Sequence, residues 1–292
     1  MMNGLFLLNK ALGLSSNRAM QQVKRLFGLK KIGHTGSLDP LASGMLPLCF
    51  GEATKFAQYL LNAEKTYEVS GHLGIQTTTG DVEGDIVVQK TVPQLTQLEL
   101  ENILEGFRGT ISQTPPMFSA LKHQGQPLYR YALQGIDIER AARQVNILEL
   151  ELVFFESPVF SIRVRSSKGT YMRTLVEDIG LRIGCGAHVI KLDRLSTGGF
   201  ESSQMIGYSE LEQLSMSERE KYILPMDVMV QQFTRLDLDT QSTLLLKQGQ
   251  IIGHLELSPS IYRVYDAQNH FFGLAEFIPQ KGLVAKRLCA TA

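Results

Sequence analysis

The sequence predicts an α+β fold: a mixed, largely antiparallel sheet with flanking helices, followed by a small β module at the C-terminal end. Three observations carry this. Residues 144–155 and 159–165 are two long strand-like runs joined by Ser157 and Pro158, the mark of an antiparallel hairpin. Segments of helical periodicity at 15–27, 96–107 and 170–183 lie among the strands. Beyond about Leu236 the pattern changes to short alternating stretches broken by glycines, which marks a separate β domain. The expected division is a first domain over 1–235, with an insertion at 110–140, and a second over 236–292.

Residues 5–8 read as a short strand. Ser15 and Ser16 cap a helix to about Phe27, with Ala19, Val23, Leu26 and Phe27 at helical spacing. After a glycine-rich loop, 45–50 is a buried strand, and 52–61 is a second helix with Lys55 on its exposed side. Residues 65–73 alternate as a strand, and 80–84 make a turn. The helix over 96–107 offers Leu98, Ile103, Leu104 and Phe107 as its buried set. The segment from Gln113 through the two prolines 115 and 116 to Tyr129 and Tyr131 is less regular and reads as a mobile flap. Residues 185–195 return to the sheet. In the last domain 249–257, 261–266, 271–276 and 283–287 read as strands.

A chain of 292 residues with 43% hydrophobic content can bury one large or two modest cores. Its apolar runs all fall short of the roughly 20 residues of a membrane span, and residues 1–10 do not fit a signal peptide, so the expected location is the cytoplasm. Cys49, Cys185 and Cys289 match neither a disulfide framework nor a zinc spacing, and the histidines are scattered, so no metal is expected. Formal net charge is zero, yet its distribution is uneven. Residues 1–60 and 161–200 are rich in Lys and Arg, whereas 61–110 and 201–240 are rich in Asp and Glu. If the two basic blocks share a face, that face can track a phosphate backbone; otherwise the blocks are sampling scatter.

The stretch from Gly33 to Gly44 places Asp39 among three glycines, just before Pro40. Gly33, Gly36 and Gly44 allow positive φ or close approach of a ligand, and Pro40 restricts the aspartate's backbone. Leu38, Leu41, Met45 and Leu46 make the surroundings apolar, so an ionised Asp39 needs a cation or hydrogen-bond donors. The loop is then either an aimed nucleophile or base, or an ordinary Asp-Pro turn. It lacks the endings of a P-loop or a dinucleotide fingerprint. In the stretch 166–175 a strand gives way to a helix, and Arg173 is a candidate partner for Asp39 or else a solvated helix residue. Tyr67 could stack on a nucleobase or belong to the core. His34 could insert among bases or be structural.

Taken together, Gly33-His34-Thr35-Gly36-Ser37-Leu38-Asp39-Pro40, Gly51-Glu52-Ala53-Thr54-Lys55, Lys65-Thr66-Tyr67, Pro115-Pro116 with Ser119-Ala120-Leu121-Lys122, and Lys168-Gly169-Thr170-Tyr171-Met172-Arg173 closely resemble the bacterial TruB family. The resemblance runs in order from about Gly4 to Arg287. Members of that family are tRNA pseudouridine synthases acting on the uridine at position 55 of the T-loop, without a cofactor. The resemblance implies a pseudouridine synthase fold with a PUA-like C-terminal domain, and Asp39 as nucleophile, attacking either C6 of the base or C1′ of the ribose. It implies that Tyr67 stacks on the flipped uracil near C5, that Tyr171 and Arg173 frame the pocket, that Leu192 is an apolar contact to the base, and that His34 fills the space the base leaves. RNA-backbone contacts are implied at Lys55, Lys65, Asp81, Lys122 and Lys168. The insertion is implied to be a thumb closing on the T-arm of tRNA, the one expected partner of a monomer that needs no other protein and no membrane. Ser37 stands where alanine is commoner in the family, and Leu133 with Gln134 replaces a frequent Ala-Arg pair. Two alternatives are a guide-dependent rRNA pseudouridine synthase and a tRNA-folding chaperone whose catalysis is secondary. An aspartate-dependent hydrolase is disfavoured, because the Asp39 loop holds no second carboxylate.

Overall fold

The structure is a computed structural model that describes residues 2–290. Met1, Thr291 and Ala292, which end the two expected domain spans, lie outside the described residues. A ten-stranded mixed sheet forms the frame. Its main path runs Ile206–Gly207, Gly4–Lys10, Ala42–Phe50, Ala187–Thr197, Lys65–Leu73, Val159–Ser166, Arg143–Glu156 and Gly109–Gln113. Two pairings on this path are parallel, Ile206–Gly207 with Gly4–Lys10 and Ala187–Thr197 with Ala42–Phe50; the others are antiparallel. The 144–155 and 159–165 hairpin is present, extended to Arg143–Glu156 and Val159–Ser166.

Alternation of side chains splits the central strands between two cores. Phe6, Leu8, Leu46, Leu48 and Phe50 face a core closed by the helices Ser16–Leu26, Gln97–Glu105 and Met172–Ile183. Leu5, Leu7, Met45 and Cys49 face the other side, against Phe56, Leu60, Met229 and Leu274. Because both faces are covered, Gly4–Lys10 is apolar almost throughout, whereas Lys65–Leu73, in the middle of the path, has only one buried face and alternates strictly between buried and half-buried positions. Ser15 caps the first helix by accepting a hydrogen bond from the Arg18 N–H. The last helix of this layer stops at Gly184, whose φ of 96° is open to glycine at little cost.

Several local expectations are corrected. Residues 52–61 are not one helix: a 3-10 turn, Gly51–Phe56, leads into a short α-helix, Ala57–Leu61. Leu98 is exposed and Leu100 takes its place in the core: Leu100, Leu104 and Phe107 lie on one helical stripe, and Leu98, two residues before Leu100, points almost opposite. In the C-terminal region a second sheet runs Thr234–Asp237, Ser260–Tyr265, Phe271–Ile278 and Gly282–Leu288. The expected strand at 249–257 is irregular and touches this sheet at one bridge, Ile252 with Leu283. Gly249, at φ 77°, turns the chain at the start of that stretch, and the residues before it form the helix Thr240–Lys247, capped by Asp239. The insertion carries a two-residue hairpin, Lys122–His123 with Gln126–Pro127, and a one-turn helix, Leu128–Ala132.

Candidate active site

Asp39 lies in the loop between Ile32–His34 and Ala42–Phe50, and the loop is held from both sides. The buried Ser16 hydroxyl donates to the Leu38 carbonyl at 2.9 Å and accepts from the Leu38 N–H at 2.7 Å. The Gly13 N–H donates to the Pro40 carbonyl, and the Ala42 N–H to the Asp39 carbonyl. Gly36 and Gly44 have φ of 104° and 94°, whereas Gly33 is an ordinary strand residue paired with Cys49. At Gly44 a side chain would also run into the Arg194 backbone of the neighbouring strand. The glycines therefore let this loop pack against the sheet.

Arg173 reaches Asp39 from the first turn of the helix Met172–Ile183. Its Nε lies 2.9 Å from Asp39 Oδ2 and 3.7 Å from Asp81 Oδ2. Nη1 donates to the Thr79 carbonyl at 2.7 Å and Nη2 to the Phe118 carbonyl at 2.6 Å. The Arg173 side chain is 4% exposed and that of Asp39 is 39% exposed, so a buried cation holds a carboxylate that still faces solvent. Asp81 is itself fixed, accepting from the Thr79 hydroxyl at 2.5 Å and from the Glu83 N–H at 3.0 Å. Tyr171, just before the helix, is set by Gln113: its N–H donates to Gln113 Oε1, and its carbonyl accepts from Gln113 Nε2. The Arg143 guanidinium lies 5.1 Å from the centre of the Tyr171 ring.

Asp39, Tyr67, Tyr171, Arg173 and Leu192 line one cavity of about 290 Å³. A second cavity, of about 570 Å³, shares Asp39 and Arg173 and is lined on its far side by His34, Asp81 and Ser15. Tyr67 and Leu192 are buried, and their strands pair directly, with Tyr67 opposite Arg194 and Leu192 opposite Val69. His34 is half-buried; burial, together with nearby Arg194, lowers its pKa, which favours the neutral ring.

The remaining expected contacts are placed otherwise. Lys65 is buried at the edge of the Tyr67 cavity, its ammonium donating to the carbonyls of Ala63, Leu61 and Leu60; burial, with Arg194 and Lys168 adding to it, pushes its pKa down to about 8. Asp81 is 3% exposed and faces Arg173. Lys55 pairs with Glu52 at 2.7 Å and donates to the Leu288 carbonyl, tying residues 51–56 to the second sheet, away from both cavities. Lys168 is exposed and donates to Asn62 Oδ1, and Lys122 is exposed on the insertion.

Sequence reasoning missed Lys10, Arg194 and Gln113. Arg194, 1% exposed, donates to the Met45 and Gly36 carbonyls and so braces the loop from below. Lys10 is equally buried and donates to the Leu14 carbonyl at 2.6 Å; burial pushes its pKa down to about 8, against the pull of Asp39. A charged residue at the end of an apolar strand was the available signal. Among the described residues, no group of three or more His, Cys, Asp or Glu side chains is placed to hold a metal ion, and no helix is long and apolar enough to cross a membrane.

Comparison with known proteins fits this architecture. Residues 24–172 match the family described as TruB family pseudouridylate synthase, N-terminal domain. Residues 173–231 match the tRNA pseudouridylate synthase B C-terminal domain, and 234–289 match pseudouridine synthase II TruB, C-terminal. The chain is 45% identical to tRNA pseudouridine synthase B of Coxiella burnetii, covering 98% of this chain and 94% of the relative. It is 48% identical to the protein of that name from Methylobacillus flagellatus, covering 99% and 96%. Among solved structures it is similar to a Cbf5-Nop10-Gar1 complex, with a TM-score of 0.74 at 22% identity over 97% of this chain and 83% of that one. That likeness is one of fold, and it defines the architecture as one shared with Cbf5. The family matches and the identities go further: the chain belongs to the TruB family of pseudouridylate synthases.

Proposed function

We propose that this protein converts a uridine of tRNA to pseudouridine, at position 55 of the T-loop, with Asp39 as nucleophile and no cofactor. The observation that carries the reading is the Asp39 carboxylate, held 2.9 Å from the Nε of a buried arginine at the edge of a cavity lined by Tyr67, Tyr171 and Leu192. The names of the relatives, tRNA pseudouridine synthase B, support tRNA as the substrate.

The reaction breaks the N1–C1′ bond, joins C1′ to C5, removes the C5 proton and leaves N1 protonated, so it needs no net oxidant. One positioned carboxylate can open it by covalent attack. Arg173 fixes the direction of that carboxylate. Tyr67 and Leu192 give the flipped uracil an aromatic and an apolar wall, and Tyr67 stands where the C5 proton leaves. Extruding the base from a folded RNA costs about a few kcal/mol, offset by stacking and by phosphate contacts. His34, in the adjoining cavity, fills the gap left in the RNA stack. The insertion closes over the T-arm as a thumb, and the C-terminal sheet is an RNA-binding module of PUA type. The protein acts as a monomer in the cytoplasm, without a guide RNA or protein partner.

The test is tritium release from C5-labelled uridine in an unmodified tRNA transcript, comparing the wild type with Asp39→Ala. Release by the wild type alone is expected. Equal release from both would end the nucleophile assignment.

A further inference from the structure

Ser119 is one of the motif residues to which the resemblance gives no role. It sits at the root of the insertion, 5% exposed, and lines both cavities. Its main chain is committed within the insertion: its N–H donates to the Met117 carbonyl at 2.9 Å, and its carbonyl accepts from the Tyr129 N–H at 3.1 Å. The preceding carbonyl, of Phe118, accepts from Arg173. The backbone is thus pinned against the catalytic arginine, yet the buried Ser119 Oγ has no hydrogen-bond partner among the described residues. A buried hydroxyl without a partner is costly, and Ser119 carries one at the wall of both cavities, where a ligand can supply the partner. Thr35, Ser166, Thr174 and Thr197 also carry buried unpartnered hydroxyls, but none of them lines either cavity.

The position at the junction identifies the group met there. Under the proposed function the base occupies the cavity of Tyr67 and Leu192, while the RNA it leaves lies on the side of His34. The ribose joins the two and must cross between them, where Asp39, Arg173 and Ser119 line both spaces. We propose that the Ser119 hydroxyl hydrogen-bonds the 2′-hydroxyl of the target nucleotide, so that the insertion reads RNA against DNA at the reacting residue. A serine hydroxyl and a 2′-hydroxyl can each donate and accept, so the pair needs no fixed protonation state. This inference rests on the proposed uridine substrate.

The test is a binding cycle with a tRNA T-arm stem-loop carrying either uridine or 2′-deoxyuridine at the target position. Binding is measured in an Asp39→Asn background, so that turnover does not intervene, with and without Ser119→Ala. Removing either hydroxyl is expected to weaken binding about fivefold, the scale of one neutral hydrogen bond, and removing both to weaken it no further than one. Fully additive losses, or no loss from either change, would overturn the contact. Should alanine lower the thermal midpoint, Ser119→Cys repeats the cycle with the side-chain volume kept. A separate control distinguishes failure of the underlying reading: if the wild type forms no pseudouridine in the all-ribose stem-loop, the substrate assignment falls and the ribose contact falls with it.

Discussion

Replacing Arg173 by lysine keeps the positive charge and removes the planar fork, which isolates what the geometry of the guanidinium contributes. In the native site three nitrogens act at once: Nε on Asp39, Nη1 on the Thr79 carbonyl and Nη2 on the Phe118 carbonyl. One ammonium cannot span the loop, the turn and the insertion together. If it keeps the attraction to Asp39 and Asp81, both carbonyl bonds are lost from a side chain that is 4% exposed. Each hydrogen bond to a charged donor is worth about 1.5–3 kcal/mol, so Arg173→Lys should cost about 3 kcal/mol even when the half-open Asp39 contact is left out. Urea unfolding should show a lower midpoint with an unchanged slope. Under the proposed role of Asp39, single-turnover pseudouridine formation should fall on the order of 100-fold, the scale of a displacement of about 1 Å at the reacting group. A change in stability below about 0.5 kcal/mol, the level of an ordinary surface substitution, together with a wild-type rate, would refute the claim that this arginine joins the three segments.

Tyr67→Phe keeps the ring that walls the cavity and loses the hydroxyl. Thermal stability should stay within about 0.5 kcal/mol of wild type, while tritium release falls by about 100-fold or more if the hydroxyl assists the C5 proton; unchanged release would remove Tyr67 from that step. Glu177, one turn beyond Arg173, has its pKa raised to about 7 by burial, with Asp178 and Asp81 adding to the rise and Arg173 opposing it. A carboxyl with a raised folded pKa contributes stability that is full below its unfolded value, near 4.5, and is lost as pH rises through about 7. Glu177→Gln should therefore gain on the wild type in urea midpoint between pH 5 and pH 8; a constant difference across that range would contradict the assignment.

Much of the frame was legible because it rests on local periodicity. Lys65–Leu73 alternates strictly, and Ser15 lies one residue before the helix it caps. What failed was set by packing between distant segments. Leu98 and Leu100 are equally apolar, and only the position of the sheet decides which of them turns inward. The helix Thr240–Lys247 is too short for periodicity to announce it, and the stretch after it lacks the neighbour that would have made it a strand. In the site, the motifs named the residues that gather around Asp39. They could not name Gln113, which orients Tyr171 from 58 positions away.

The charge pattern shows why a tally along the chain misleads about a surface. In the block at 161–200, Arg163 pairs with Glu68 at 3.0 Å, and Arg165 pairs with Glu64 at 2.8 Å and Glu149 at 2.6 Å, so neighbouring strands neutralise both. Arg173 and Arg194 are internal and serve the loop of Asp39. In the first block Lys10 is internal as well, and Lys55 is paired with Glu52. Arg18, Arg25, Lys30 and Lys31 remain exposed, on the first helix and the connection after it, beginning beside Ser15 and Asn17 of the His34 cavity. Lys122 and Lys168 stand exposed on the insertion and ahead of the Arg173 helix. The cations that brace the Asp39 loop are therefore distinct from those free to meet a phosphate backbone. Neutralising the second set should flatten the salt dependence of RNA binding and leave the geometry around Asp39 intact.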